Sequence, residues 1–190
     1  MGAYKYIKES FQQSYKERSE AMKNRLMQWN SESTLIRIEK PTNIARAREI
    51  GYKDKQGVVI VRARVRKGLS KRAKPRGGRK PSKSGRFFAR RKSMQSIAED
   101  RASARFTNCE VVNSYYAGED GKNRYYEVIL VDRASPSVSS DPIYSRVIGM
   151  KGRAFRGLTS SGKKHRGLVG KSEGTDVSRP SVRAVQRAGS

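Results

Sequence analysis

The sequence predicts an α+β fold: a small antiparallel or mixed sheet with packed helices, extended by a basic loop and a basic C-terminal tail. Three observations predict it. Apolar residues recur at helical spacing near the N-terminus, they alternate with period two in the middle, and charge is segregated between them. From Lys55 to Ile97 the chain carries sixteen lysines and arginines and no aspartate or glutamate. Residues 99–150 carry six basic and eight acidic side chains, whereas 151–190 carry ten basic and two acidic. The formal charge of +26 over 190 residues therefore sits in two blocks around a nearly neutral centre. A surface that positive repels itself unless a polyanion lies against it.

Along residues 3–30, Tyr4, Ile7, Phe11 and Tyr15, then Met22, Leu26 and Trp29, recur at three- and four-residue steps and predict helix with one packing face. Asn43 after Pro41-Thr42 opens a short helix over 43–50, which Gly51 stops. Gln56 to Lys67 is the clearest strand. Val59, Val61, Ala63 and Val65 fall on one face, and Arg62, Arg64 and Arg66 on the other. Alternate side chains on a strand stand roughly 6.5–7 Å apart, comparable to the phosphates of an extended nucleic-acid strand. With nothing acidic expected nearby, the arginine face is read as tracking such a backbone rather than as a solvated polar face.

Gly68 to Lys92 is punctuated by Gly, Pro and Ser and reads as a loop or extended arm. Ser93 caps a predicted helix through about Arg105, with Met94, Ile97, Ala98 and Ala102 inward. Strands follow over Cys109 to Tyr116 and Arg124 to Asp132, joined by a hairpin-type connection. The unbroken run Val128-Ile129-Leu130-Val131 places the second of them centrally, covered on both faces. Residues 133–150 look irregular, with one helical turn near Ile143, and from Lys151 onward no periodicity remains. The expected organisation is a single domain over 1–150, with its basic loop at about 68–92, and an extended basic tail over 151–190. Neither basic block has the apolar area to offset its chain entropy alone, so both are expected to order on a partner.

Composition excludes several chemistries. His165 and Cys109 each stand alone, which leaves no ligand set for zinc and no Cys-His or Ser-His-Asp arrangement. Cys109 reads as a small core residue, and the lone cysteine with no signal-like apolar run fits a reducing cytosol. No segment is apolar enough to span a membrane. Gly157 to Lys164 nearly spells a nucleotide-binding loop, but Lys164 stands where a magnesium-binding Ser or Thr is required. The strand ending in Asp132 precedes that loop instead of following it, so an NTPase is not expected. No cofactor, small-molecule substrate or enzymatic activity is expected.

The charged residues expected to meet RNA in the loop are Lys71, Arg72, Lys74, Arg76, Arg79, Lys80, Lys83, Arg86, Arg90, Arg91 and Lys92. In the tail they are Arg153, Arg156, Lys163, Lys164, His165, Arg166 and Lys171, where Arg156-Gly157-Leu158 and Arg166-Gly167-Leu168 repeat a phosphate-compatible pattern. Phe87 and Phe88 either stack on bases or belong to the core.

The ordered blocks around this charge resemble a known family. They are Met1 to Ile7, Pro41-Thr42 with Ala47-Arg48, Gly51-Tyr52-Lys53, Lys55-Gln56-Gly57, Arg62 to Gly68, Ser93 to Glu99, Asn113-Ser114-Tyr115, Gly118-Glu119-Asp120, Glu127 to Asp132, Phe155 to Ser160 and Arg166-Gly167-Leu168. In this order they are similar to the large-subunit ribosomal proteins of the archaeal and eukaryotic L-fifteen-e type. A tail ending shortly after Arg187 points to the archaeal branch. The resemblance implies a structural protein of the large subunit in the cytoplasmic ribosome, bound to large-subunit ribosomal RNA and neighbouring ribosomal proteins. It implies RNA contacts at Arg46, Arg48, Tyr52, Lys53, Lys55, Arg62, Arg64, Arg66, Lys67, Arg156, Lys163 and Arg166, with Tyr52 able to stack on an unpaired base. Charge alone also fits a free-standing RNA- or DNA-compacting protein. Trypsin is expected to cut the free protein first within 68–92 and 151–190 while 93–132 resists; equal protection throughout would overturn this division.

Overall fold

In the computed structural model, residues 2–73, 77, 85–88 and 92–169 are described. Helices α1 (Tyr4–Lys16) and α2 (Glu20–Ser31) lead into strand β1 (Leu35–Ile38), helix α3 (Ile44–Glu49) and strand β2 (Val58–Arg66). Short strands β3 (Ser70–Lys71) and β4 (Phe87–Phe88) pair as the base of an arm. Helix α4 (Met94–Arg105), strands β5 (Cys109–Glu119) and β6 (Asn123–Asp132), and helices α5 (Pro136–Ser139), α6 (Pro142–Ile148) and α7 (Ser160–His165) complete the order. The main sheet is antiparallel, in the order β1-β2-β6-β5. The α+β class predicted from sequence is the class observed.

The apolar run of β6 has the placement its composition requires. It lies between β2 and β5, and every residue from Tyr125 to Val131 is buried. One sheet face carries Val61, Ala63, Val65, Val128 and Leu130 against Ala98 and Ala102 of α4, with Cys109 in the same cluster. The other face carries Ile60, Ile129 and Val131 against Ala47 of α3, Val138 of α5 and Tyr144 and Val147 of α6. Both faces are therefore covered by helices. α4 begins where its sequence demands, Ser93 Oγ accepting the Ser96 N–H at 3.2 Å.

Three regions differ from the sequence reading. The single helix expected over 3–30 breaks at Glu17-Arg18-Ser19, where Arg18 adopts φ 49° and Ser19 caps α2 by accepting the Met22 N–H. β1 was not foreseen, because four residues carry too little periodicity to stand out. The irregular stretch 133–150 holds two short helices, each with proline at its first position.

The segment after Lys151 also folds further than its composition suggested. Ala154 is buried in the α4-side cluster, and Thr159, Ser161 and Gly162 are buried where α7 meets α4. A Cβ at Gly162 would stand 2.6 Å from Gly157 Cα, so glycine is needed for α7 to close on the preceding turn. Residues 151–169 are thus docked, and the rapid cleavage expected across them is corrected to slow cleavage, since a protease needs the chain locally opened.

Glu127 holds the helical covering to the sheet. It is 0% exposed on the central strand and accepts the Thr42 N–H at 3.0 Å, the Thr42 hydroxyl and the Tyr115 hydroxyl. Removing this acceptor leaves the buried Tyr115 hydroxyl and two partly buried Thr42 donors unpaired, which is costly. Glu127→Ala is expected to lower stability by about 3 kcal/mol or more. Urea unfolding measures this, and a loss below about 0.5 kcal/mol, the range of an inert surface change, would contradict the role.

Candidate nucleic-acid interface

The predicted arginine face of β2 is not an open surface. The Arg62 guanidinium lies 4.5 Å from the Trp29 ring centre and 2.6 Å from a Glu32 oxygen, with its side chain only 11% exposed. Arg64 donates to the Asn30 carbonyl, and Arg66 alone of the three is exposed. The expectation that nothing acidic lies near these arginines is therefore corrected: Glu32, at the end of α2, folds back over the strand. Sequence separation hid this pair, thirty residues apart. A partly buried guanidinium between an indole face and a carboxylate is held by cation–π and ionic contacts together, so Arg62 serves the fold.

Lys53 and Lys55 converge on one carboxylate. Their ammonium groups lie 2.5 and 3.1 Å from Asp141 Oδ2, and Asp141 is buried while capping α6 through the Ile143 N–H. The Lys53 hydrogen bond, helped by Ile143 and Lys55 and opposed by burial, holds the Asp141 carboxyl well below the usual carboxylate range. Tyr52 is 6% exposed inside the α6-side core, so the stacking expected of it is corrected to packing. Arg46 and Arg48 remain exposed on α3. Arg46 lies 2.6 Å from Glu49, and Arg48 sits 5.1 Å over the Tyr4 ring. Lys67 is 3.0 Å from Glu119.

At the base of the arm, the Arg72 N–H donates to the Arg86 carbonyl at 2.9 Å across the β3–β4 pair, in which Lys71 also lies. Arg72 covers the Phe88 ring at 4.3 Å, whereas Phe87 is 60% exposed beside Arg86. The two phenylalanines thus divide: Phe88 packs within the arm, and Phe87 offers a face outward. Lys92, at the arm's return, pairs with Asp100 at 2.7 Å. Lys74, Arg76, Arg79, Lys80, Lys83, Arg90, Arg91 and Lys171 lie outside the described residues.

In the C-terminal segment, Arg153 has a different job from the one sequence suggested. It donates to the Val111 and Val112 carbonyls at 3.1 and 3.0 Å, at the bulge where β5 shifts register. Buried Glu110 accepts the N–H groups of Gly152 and Arg153 at 2.9 and 3.3 Å. Burial lowers the Arg153 pKa, and Glu99 and Glu110 oppose that shift. The bulge strands carbonyls that a ladder would otherwise satisfy, and the guanidinium satisfies them.

Arg156, Lys163, Lys164 and His165 are exposed, the last three on the final turn of α7, and the Arg166 guanidinium donates to the Gly157 carbonyl at 3.2 Å. Beneath them Glu99 of α4 accepts the Thr159 hydroxyl at 2.6 Å and the Ser114 hydroxyl. Burial raises the Glu99 pKa, partly offset by those two hydroxyls. Ser161 Oγ lies 2.8 Å from Ser96 Oγ and 3.3 Å from Ser93 Oγ. α7 therefore begins beside the start of α4, next to the residue on which the arm returns. Two basic segments, remote in sequence, leave the core from one place.

Some cations are thus engaged within the fold, as Arg62 and Arg153 are, while Arg72 and Arg86 at the base of the arm and Lys163, Lys164 and His165 on α7 are exposed. This is the division of a basic, non-uniformly charged α+β protein. Residues 2–185 match the family model described as Ribosomal L15. The chain is also 46% identical over 166 residues to the Large ribosomal subunit protein eL15 of Methanocorpusculum labreanum, covering 87% of this chain and 86% of that relative. This chain belongs to the ribosomal L15 family.

The Asp141 clamp sets a pH dependence of stability. Its carboxyl is depressed in the folded state, so the stabilisation is complete above the unfolded value of about 3.9 and is lost as pH falls from there toward the folded value. Asp141→Asn should be less stable than wild type at neutral pH, with the gap narrowing below about pH 4. Urea midpoints across that range test it; a gap independent of pH would show that the clamp is not ionic.

Proposed function

We propose that this protein is a structural, non-enzymatic constituent of the large ribosomal subunit that binds and stabilises folded large-subunit ribosomal RNA, beside neighbouring large-subunit proteins in the cytoplasmic ribosome. The observation that carries the reading is the segregation of charge. Among the described residues, exposed cations stand at the base of the arm, Arg72 and Arg86, and on α7, Lys163, Lys164 and His165, whereas Arg62 and Arg153 are engaged within the fold. The relative from Methanocorpusculum labreanum, named as a large ribosomal subunit protein, supports the same assignment.

The contacts proposed from this arrangement are Arg46, Arg48, Arg66, Arg72, Arg86, Arg156, Lys163, Lys164 and His165, with Phe87 as a stacking surface. The basic residues of the arm and tail beyond the described positions join them. Arg62 and Arg153 act behind this surface by fixing the elements that carry it, and Lys53 and Lys55, at the surface, are committed to Asp141. Binding is by neutralisation of crowded phosphates and by the shape of folded RNA, without base-by-base reading. Arginine suits fixed geometry through its fork of donors, and lysine supplies charge where the path is looser.

Sedimentation of cell extract at moderate and high salt tests the assignment. Co-migration with the large subunit is expected at both; recovery in free or DNA-bound fractions would overturn it in favour of a free-standing compacting protein. Replacing Lys163 and Lys164 together with glutamine is expected to leave the melting temperature unchanged and to weaken binding to purified ribosomal RNA. The slope of log K against log salt should become shallower by about one to two units. An unchanged slope would remove α7 from the interface.

A further inference from the structure

α1 stands apart from the core: none of its residues is buried, and Tyr6 is 67% exposed. The corner at Arg18 separates α1 from α2, and its φ of 49° is a conformation that non-glycine residues seldom adopt. Between the two helices and the β5–β6 turn lies a cavity of about 660 Å³. Its apolar lining is Tyr15, Met22 and Leu26. Gly118 of β5 makes that lining possible, since a Cβ there would stand 2.9 Å from Met22 Cε and 3.4 Å from Leu26 Cδ2.

The rim is cationic. Lys16, Arg18 and Lys23 line the opening, all exposed, and among the described residues none of them pairs with a carboxylate. The opposite wall holds Glu119 and Asp120, yet both are engaged elsewhere. Glu119 takes Lys67 at 3.0 Å and Arg124 at 2.7 Å. Asp120 accepts the Lys122 and Asn123 N–H groups at 2.6 and 2.5 Å and the Tyr125 hydroxyl at 2.9 Å. Glu119 is offset by its two cations and Asp120 keeps its charge within the turn, so the lining, with Lys16, Arg18, Lys23 and Lys67 against Glu119 and Asp120, is net positive.

We propose that this cavity takes one unpaired nucleobase extruded from folded RNA, with the flanking phosphates on Lys16, Arg18 and Lys23. The inference rests on the RNA-binding reading above and adds a site to it. The volume is within the range of small-ligand pockets, about 300–1,000 Å³, and leaves room for a base and part of its ribose. Carboxylates that are already hydrogen-bonded and an apolar lining offer a base its faces rather than its edges. The Tyr15 ring supplies the stacking surface, so any base is accepted. A cationic ligand is repelled by the rim, and a neutral apolar one has no use for three lysine and arginine heads.

The test compares binding of the full chain to two short single-stranded RNAs, identical except that one lacks its central base. Wild type is expected to prefer the intact strand by about tenfold, the range of one stacked base. Leu26→Trp, which puts an indole into the apolar end of the cavity, should abolish that preference. In wild type, 5-iodouridine at the central position should crosslink to Tyr15 or its neighbours in the lining. Equal affinity of wild type for both strands would overturn the base site and leave the RNA-binding reading intact, as would crosslinks confined to other segments. Binding of neither strand would overturn the base site, and failure to bind purified ribosomal RNA as well would overturn both.

Discussion

The fold of this chain of formal charge +26 depends on carboxyl groups placed inside the core. One of them pairs with cations, while three accept hydroxyl and backbone N–H donors. Glu99, Glu110, Glu127 and Asp141 are all buried, and each joins segments distant in sequence. Glu127 ties the loop before α3 to the central strand, and Asp141 ties the β2 approach to α6. Glu110 fixes the turn after α6, and Glu99 fixes the start of α7. All four come from the stretch 99–150, in which acidic residues outnumber basic ones. The nearly neutral centre of the sequence is therefore the set of acceptors around which a basic protein closes.

That arrangement explains which parts of the fold were legible beforehand. β2, α4, β5 and β6 follow from local pattern, since alternation, a serine cap and an apolar run each act within one element. The partners of Arg62 and Arg153 were not legible. Glu32 reaches Arg62 only because the end of α2 lies over β2, and Arg153 meets its carbonyls only because β5 is bulged. A strand read alone shows the direction of its side chains but not what will cover them. Pro136 and Pro142 did carry a usable signal: a polar residue before a proline marks a helix start, and it lies in both Ser135-Pro136 and Asp141-Pro142.

The charge arithmetic asked for a polyanion and the ordered motifs narrowed the class to a ribosomal family, and each marked as contacts some residues that the fold keeps inside. The resemblance marked Tyr52, both routes marked Arg62, and the charge of the tail marked Arg153. Motif matching cannot separate a cation that faces a partner from one that positions the first. Arg62 against Trp29 and Arg153 against the β5 bulge are structural, and replacing either would disturb any interface from behind.

Geometry also changes the meaning of the two basic blocks. Considered as sequence, they are a loop and a tail separated by the neutral core. In the structure, the hydroxyl contacts of Ser161 with Ser93 and Ser96 bring the root of the second block to the return of the first. Charges converging on one place raise the local potential more than the same charges spread along an edge, and they do so within a Debye length of about 8 Å at physiological salt. The cost is mutual repulsion in the free protein. It is tolerable because Asp100 pairs with Lys92 and because the last turn of α7 points its cations at the negative end of its own helix dipole. The core thus sets the root of α7 beside Ser93, where the first basic block rejoins the fold.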